Sequence, residues 1–532
     1  MKKKFCLITG SLLMLIIVVA LFFGTQLRNA IMVSVISDRQ QEEVFQTLVA
    51  SEKLEYELLY KQEPVPYDER TATYYLPQTT EESWLWEDVF SLSEETLRLQ
   101  WCEDDYWKDM ETAIAEGHAF SFVVSNDTQV ELGKIVFTGL PMMTIERQQI
   151  LDENQYYCKI RIFDPFHNNR YDVAKCNGFL ELRGRTSKAF PKDGWELELC
   201  RENGTSYKTS LFGLREDDDW KLNALYPDAS KVREMIAMEL WNQMAEQTES
   251  AQDAGTNMAY FELMMDEEYT GLYGAMEQLD YKQFSLNKNE DMIYKSYAWP
   301  LERHPEFYAP EQELYGHLIK TGGREISESM WEPFKEYVLA AGYHMEEINC
   351  DTEMFYQYIK DHMNMENFTY AELFVQTLYA FDNKYKNFYI AADLRDDGDY
   401  TLWKIPWDLN YSFGDRFDVE ANALTTFNLE WSQELMTGFM LSENLLESGN
   451  KEFVEFLNCK WKELKQGILS VENVQRIAQE NMDLLTESGA FARDAKRWPE
   501  GPHSTSLEEI LEFHSCRLNF LEEHYTSYLN EN

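Results

Sequence analysis

Positive charge is scarce in this chain. Its 532 residues carry 48 lysines and arginines against 94 aspartates and glutamates, a formal net charge of −46. A surface of that sign repels phosphate backbones, which argues against nucleic acid as a partner of the whole chain. Clustered metal-ligand spacing is also missing. The eight cysteines stand singly, at 6, 102, 158, 176, 200, 350, 459 and 516, with no C-x-x-C pair, and the nine histidines are isolated. An odd number of cysteines beyond the first segment, irregularly spaced, describes no disulfide scaffold; they read as small buried hydrophobes. H-E-x-x-H, G-x-S-x-G, G-x-G-x-x-G and G-x-x-x-x-G-K do not occur. Zinc-peptidase, serine-hydrolase and glycine-loop nucleotide chemistries therefore have no local motif. Carboxylates abound, yet no motif selects a pair for glycoside hydrolysis. Internal repeats and low-complexity tracts are absent.

What is present is a composition that folds. Hydrophobic residues make up 44% and aromatics 14%, too many for a disordered acidic tail. The length suffices for two or three domains with full cores. Long apolar runs are limited to one: Phe5–Gly24 follows Lys2, Lys3 and Lys4 and carries no charge over 20 residues. At 1.5 Å per residue it matches a bilayer core of roughly 30 Å. It reads as a signal anchor over 1–24, with the N-terminus cytoplasmic and the main domain extracytoplasmic; a cleaved signal peptide is the alternative.

Residues 25–133 carry no motif and read as a membrane-proximal accessory segment. Within it Ser51–Gln62 is either strand or helix, Thr71–Leu76 and Phe120–Val124 alternate like strands, and Ser93–Ala115 has a helical pattern. Strands dominate 134–300, with candidates at Tyr156–Phe163, Gly178–Arg183, Gly194–Leu199, Ala259–Met265 and Gly271–Met276. One helix is predicted there over Ser230–Gln247, with Asp228 as its N-cap. Helices dominate 301–532, with capping-box spacing at Ser329/Glu332 and Ser506/Glu509. A single hairpin, Asn387–Ala392 and Tyr400–Ile405, interrupts them. Its acidic turn, Asp393–Asp399, lacks the spacing and terminal Glu of a calcium loop and reads as solvated. The fold class is α+β.

That hairpin is flanked by the residues best suited to chemistry. Asp382 and Asn387 have the D-x-x-x-x-N spacing of a kinase catalytic loop, and Asp408 ends the returning strand. Phosphoryl transfer needs hard oxygen ligands for a divalent metal and a carboxylate within reach of the attacking hydroxyl. The hairpin would return Asp408 close to Asn387 to hold one metal, while Asp382 faces substrate. Turn capping by Asp382 and Asp408 is the bland alternative.

An ordered series of blocks across roughly 135–430 resembles the CotH (spore coat protein H) kinase family. Leu182-Arg183-Gly184-Arg185-Thr186-Ser187 with Phe190-Pro191-Lys192 and Trp195–Leu199 is similar to its "RGxSSxxxPKKSYxLxL" block. Trp220–Ala224 with Asp228-Ala229-Ser230 and Val232-Arg233 resembles "WxLLA…DxSxxRN". Glu262-Leu263 through Gly271-Leu272-Tyr273 and Glu277–Asp280 resembles "VELYxNGxYxGLYxxxEQID", and Tyr294-Lys295 the later "LYK". Asp382–Tyr389 and Pro406–Gly414 resemble "DxxxKNFY" and "IPWDLDxxFG". The resemblance implies an atypical protein-kinase-like two-lobed fold, with a strand-rich N-lobe at 134–300 and a mainly helical C-lobe at 301–532. It implies ATP and Mg or Mn as cofactors, and Ser/Thr of a protein as acceptor. By position Asp382 would be catalytic, and Asn387 and Asp408 would hold metal. Lys192 would meet the nucleotide phosphates, with Lys295 and Lys386 as rivals, and Glu277 would approach the interlobe hinge. The acidic surface suits a basic, Ser/Thr-rich coat or envelope protein as substrate. Departures are Asp193 for the second lysine of "PKK", Glu234 for the Asn of "RN", Asn410 for the second Asp of "WDLD", and the acids Glu196 and Glu198. A non-catalytic surface or spore-coat assembly protein that keeps the fold is the rival reading; a hydrolase or transferase using the same carboxylates is a third.

Overall fold

The computed structural model describes residues 35–50, 54–78, 90–167, 173–184, 188, 190–248, 250–296, 313–314, 318–322, 333–334, 352–384, 386–418, 423–437, 440–447 and 449–531. The expected anchor at 1–24 and the capping box at Ser329/Glu332 lie outside the described residues. Among the described residues no helix is long and apolar enough to cross a membrane.

The fold is α+β, and the chain divides into two compact units whose limits differ from boundaries at 133 and 300. The first takes the described part of Met1–Gly178 together with Phe261–Leu272 and Thr486–Arg497. The second takes Phe179–Tyr260, Tyr273–Leu485 and Trp498–Asn532. Strand pairing explains why a hairpin is divided between them. Glu262–Met265 pairs in parallel with Met142–Ile145, whereas Gly274–Glu277 pairs with Trp220–Asn223. Neither strand could be assigned from its own sequence, because both read as apolar β.

In the first unit a sheet runs in the order Val35–Ile36, Arg98–Cys102, Ala119–Ser125, Gln129–Thr138, Thr73–Pro77, Tyr67–Asp68. Thr73–Pro77 and Ala119–Ser125 lie where strands were predicted, and Leu58–Tyr60 resolves the open choice within 51–62 as strand. The helix expected over Ser93–Ala115 is replaced by the strand Arg98–Cys102, a 3-10 turn at Asp105–Lys108 and a short helix, Met110–Glu116. Two carboxylates break the continuity. Asp104 accepts the Tyr106 N–H at 2.9 Å and Asp109 the Thr112 N–H at 3.2 Å, so each starts its own turn. Leu99 and Trp101 meanwhile sit opposite Val124 and Phe122, where cross-strand burial outweighs helix propensity. Glu262 is held in a bidentate pair with Arg493, both contacts 2.8 Å, and accepts the Tyr269 hydroxyl. That pair fixes the late segment Thr486–Arg497 to a strand more than 200 residues earlier.

In the second unit Gly194–Cys200 and Asp219–Asn223 pair antiparallel, and Gly274–Glu277 pairs antiparallel with the other edge of Asp219–Asn223. The helix Arg233–Gln247 starts three residues later than predicted. Asp228 is spent on the turn before it, accepting the N–H groups of Ser230 and Arg233 at 2.9 Å each. A five-stranded sheet then runs Glu313–Leu314, Leu318–Gly322, Met292–Ser296, Phe388–Leu394, Tyr400–Pro406. Met365–Leu378 clamps its outer strand: the Asn367 amide donates to the Lys404 carbonyl at 3.1 Å and accepts the Lys404 N–H at 2.7 Å.

Candidate active site at the base of the hairpin

The strands Phe388–Leu394 and Tyr400–Pro406 are rich in β-branched and aromatic residues, and their pairing runs from Phe388 opposite Pro406 to Leu394 opposite Tyr400. The acidic turn is satisfied by itself: Asp397 accepts the Asp399 N–H at 3.0 Å and Arg395 Nε at 3.2 Å. At the other end the pairing continues for one step, with Trp407 N–H donating to the Asn387 carbonyl at 2.9 Å. Asn387 N–H donates to the Ser296 carbonyl at 2.8 Å. The buried Asn383 amide ties the corner, donating to the carbonyls of Asn387 and Trp407 at 2.7 Å each. Asn387 and Asp408 both hold left-handed backbone, φ +55° and +60°. Asn and Asp are the non-glycine residues that enter this conformation most readily, one on each side of the hairpin base.

Asp382 lies in a 3-10 turn, Phe381–Lys384, entered after Met365–Leu378 ends at Tyr379 in left-handed backbone. Its carboxylate pairs with Lys386 Nζ at 2.7 Å. Burial raises its pKa, opposed by the Lys386 ammonium and the Arg416 guanidinium and reinforced by the charge of Asp408. Asp382 and Asp408 are therefore close enough to sense each other. Tyr411 joins them: burial first, then Asp408, Asp382 and Asp415, raise its phenol.

Lys192 and Glu277 have other surroundings. Lys192 is 1% exposed, with Nζ 4.6 Å from the Tyr273 ring centre. Glu277 is buried, accepting the Arg215 N–H at 2.9 Å and the Asn257 amide at 2.7 Å, so both carboxylate oxygens are engaged. The cations gathered beside Asp408 are different ones. Arg183, Lys221 and Lys295 stand 5.8, 5.6 and 5.9 Å from the ring centre of Trp407, the residue before Asp408. Lys221 pairs with Glu196 at 2.7 Å. Burial, then repulsion from Arg183 and Lys295, pull its ammonium down to about 8 despite Glu196. Glu196 in turn is pushed up by burial but held below its usual range by Lys221, Arg183 and Lys295. Lys221 lies on the opposite face of its strand from the fully buried Trp220 and Leu222, yet it is itself buried, which no local pattern announces. Lys295, expected as a rival to Lys192 for the phosphates, is one of the three; Arg183 comes from a distant segment and was not singled out for this role. Among the described residues no group of three or more His, Cys, Asp or Glu stands ready to hold a metal.

The model of the CotH kinase protein family matches residues 180–521, more than half of the sequence. The chain belongs to this family. No curated protein matches it.

The family blocks now have physical roles. The Asp-x-Ser-x-x-Arg block forms a buried ion pair: Asp228 meets Arg233 at 2.7 Å, and Arg233 also lies 3.8 Å from Asp415, just after Gly414. Arg233 raises the acidity of Asp228 against the cost of burial. This pair ties the start of helix Arg233–Gln247 to the loop that carries Asp408. Gly414 is required there: at φ +82°, an added Cβ would come within 2.4 Å of the Phe513 ring.

Proposed function

We propose that the chain is an ATP- and metal-dependent protein kinase that phosphorylates serine or threonine. The observation that carries the reading is the meeting of Asp382, Asn387 and Asp408 at one hairpin base, next to three cations around Trp407. The residues fit a divalent cation. Asn383 Oδ1 and Glu234 Oε1 are buried acceptors without a donor, and acceptors in excess suit a hard metal ion. Asp408 and Asn387 would hold Mg or Mn, and the shortage of acidic ligands leaves places for phosphate oxygens. When bound, the metal neutralises charge on the transferring phosphoryl group.

The protein's own groups do the rest. Asp382, aligned by Lys386, accepts the proton of the attacking hydroxyl. Its raised pKa makes it a better base than an exposed aspartate. Arg183, Lys221 and Lys295 offer positive charge to the nucleotide phosphates, in place of a glycine-rich loop. The negative surface favours a basic, Ser/Thr-rich acceptor such as a coat or envelope protein. An outward-facing location behind an anchor at 1–24 belongs to the same proposal.

Titrating ATP with Mn into the full chain by calorimetry tests it. Metal-dependent binding is expected, and Asp408→Ala should abolish it. Unchanged binding in that variant would remove Asp408 from the site. The competing reading, a non-catalytic assembly protein, draws on the pairing of Lys221 with Glu196, which lessens the charge available for phosphate. Absence of ATP binding under all metal conditions would favour it.

A further inference from the structure

Helix Arg233–Gln247 opens with an acid where the family pattern has a neutral asparagine. Glu234 is 2% exposed, far below what an ionised carboxylate tolerates without partners. Its Oε2 accepts the Asn223 amide, and Oε1 has no hydrogen-bond partner. The Leu409 N–H, immediately after Asp408, bonds to the carboxylate. Burial raises its pKa, the charge of Asp408 adds to that rise, and Arg183 opposes it. Backbone on both sides is fixed, by the Asp228–Arg233–Asp415 ion pair before it and by the left-handed Asp408 opposite. The carboxylate thus has two donors, from Asn223 and Leu409, and still keeps Oε1 as a buried acceptor without a hydrogen bond, next to another acid.

We propose that Glu234 is a further acidic group of the cation site at Asp408, giving this chain a divalent-cation site that fills before nucleotide arrives. The proposal rests on the kinase reading above and deepens it. With asparagine at this position, the negative charge would have to come from the nucleotide phosphates. With glutamate, the protein supplies a second carboxylate beside Asp408, and Asn387 and Asn383 add neutral oxygens. The cation compensates the repulsion between Glu234 and Asp408 and satisfies the buried Oε1.

The test is Mn²⁺ alone, titrated into the full chain by calorimetry and followed by thermal melting, for wild type, Glu234→Asn, Glu234→Gln and Asp408→Asn. Wild type is expected to bind Mn²⁺ without nucleotide and to melt higher with it. Glu234→Asn should weaken that binding by roughly 10–100-fold and lose the metal-induced shift, while Mn²⁺ with ATP still binds. The isosteric Glu234→Gln keeps the shape, so loss of the shift in both variants cannot come from misfolding. Unchanged Mn²⁺ affinity in Glu234→Asn, alongside loss in Asp408→Asn, would overturn the inference and leave the kinase reading intact. Wild type that takes Mn²⁺ only together with ATP would overturn it too. Failure to bind Mn²⁺ even with ATP would sink the kinase reading itself, and this inference with it.

Discussion

Asp382 sits 2.7 Å from Lys386 and in the field of Asp408, and these two neighbours pull its protonation in opposite directions. The Asp382→Asn variant should keep metal and ATP binding but slow phosphoryl transfer by roughly 10²–10⁴-fold, as read by single-turnover phosphate transfer to a basic Ser-rich peptide. Equal loss of binding and transfer would mean that Asp382 is a ligand rather than a base. Lys221 separates two readings of the phosphate site. Lys221→Met should weaken ATP binding by about tenfold or more, the worth of one charge-assisted hydrogen bond. The fold should survive, because the Glu196 side chain it leaves is 48% exposed and can hydrate. Lys192→Met should instead alter melting temperature and leave ATP affinity alone, since Lys192 is packed on Tyr273. The reverse pattern in calorimetry would restore Lys192 to the nucleotide. Asp382, Asn387 and Asp408 were legible in the sequence because a short spacing and one hairpin bring them together. Lys221, Arg183, Glu234 and Tyr411 were given no site role, and Lys295 only that of a rival to Lys192, because strand pairing and helix placement across long stretches of chain decide their company.

Elements place these groups. The hairpin was readable from its alternation and its turn, and its ends shift by only a residue or two from expectation. The helix over 93–115 was misread for a local reason: aspartates at 104 and 109 cap separate turns, and Trp101 is worth more in a sheet. The last helix, Glu508–Glu531, had no assigned role. Its Arg517 is fully buried, with Nε donating to the Gln376 carbonyl at 2.8 Å, and with further contacts to the Gln376 side chain and the Glu434 carbonyl. Gln376 lies in the helix that leads into Asp382. Arg517→Met strands several buried acceptors at once and should cost about 3 kcal/mol or more in chemical denaturation. A change within experimental error would show that the last helix does not support the site.

At the scale of the molecule, stability carries its own pH signature. Burial pushes the Glu372 carboxyl up to about 8 against the pull of the Ser442 hydroxyl and Lys404. Burial likewise brings Lys404 down to about 8, with Glu372 opposing. The folded chain thus keeps a proton on Glu372 that the unfolded chain releases near 4.5, so this stabilising contribution is present at acid pH and is lost as pH rises towards 8. Lys404 acts in the opposite sense: its unfolded form holds a proton up to 10.5, so its contribution improves with pH above 8. Glu372→Gln should therefore flatten the fall in melting temperature between pH 5.5 and 8 relative to wild type, measured by calorimetry at fixed salt. An identical fall in the variant would exclude Glu372 as its source.

By itself the sequence determined the α+β class, the family, the hairpin and the three residues at its base, because period-two alternation and close spacing are local properties that survive without neighbours. It also determined the charge, which follows from composition alone. The tertiary structure decided the rest. Late segment Thr486–Arg497 joins the first unit and Trp498–Asn532 the second. Three cations from different strands gather on one indole, and Glu234, a departure visible in the sequence, is buried. Each of these depends on desolvation and on charges brought together from far apart in the chain, and neither is a property of any short stretch of residues.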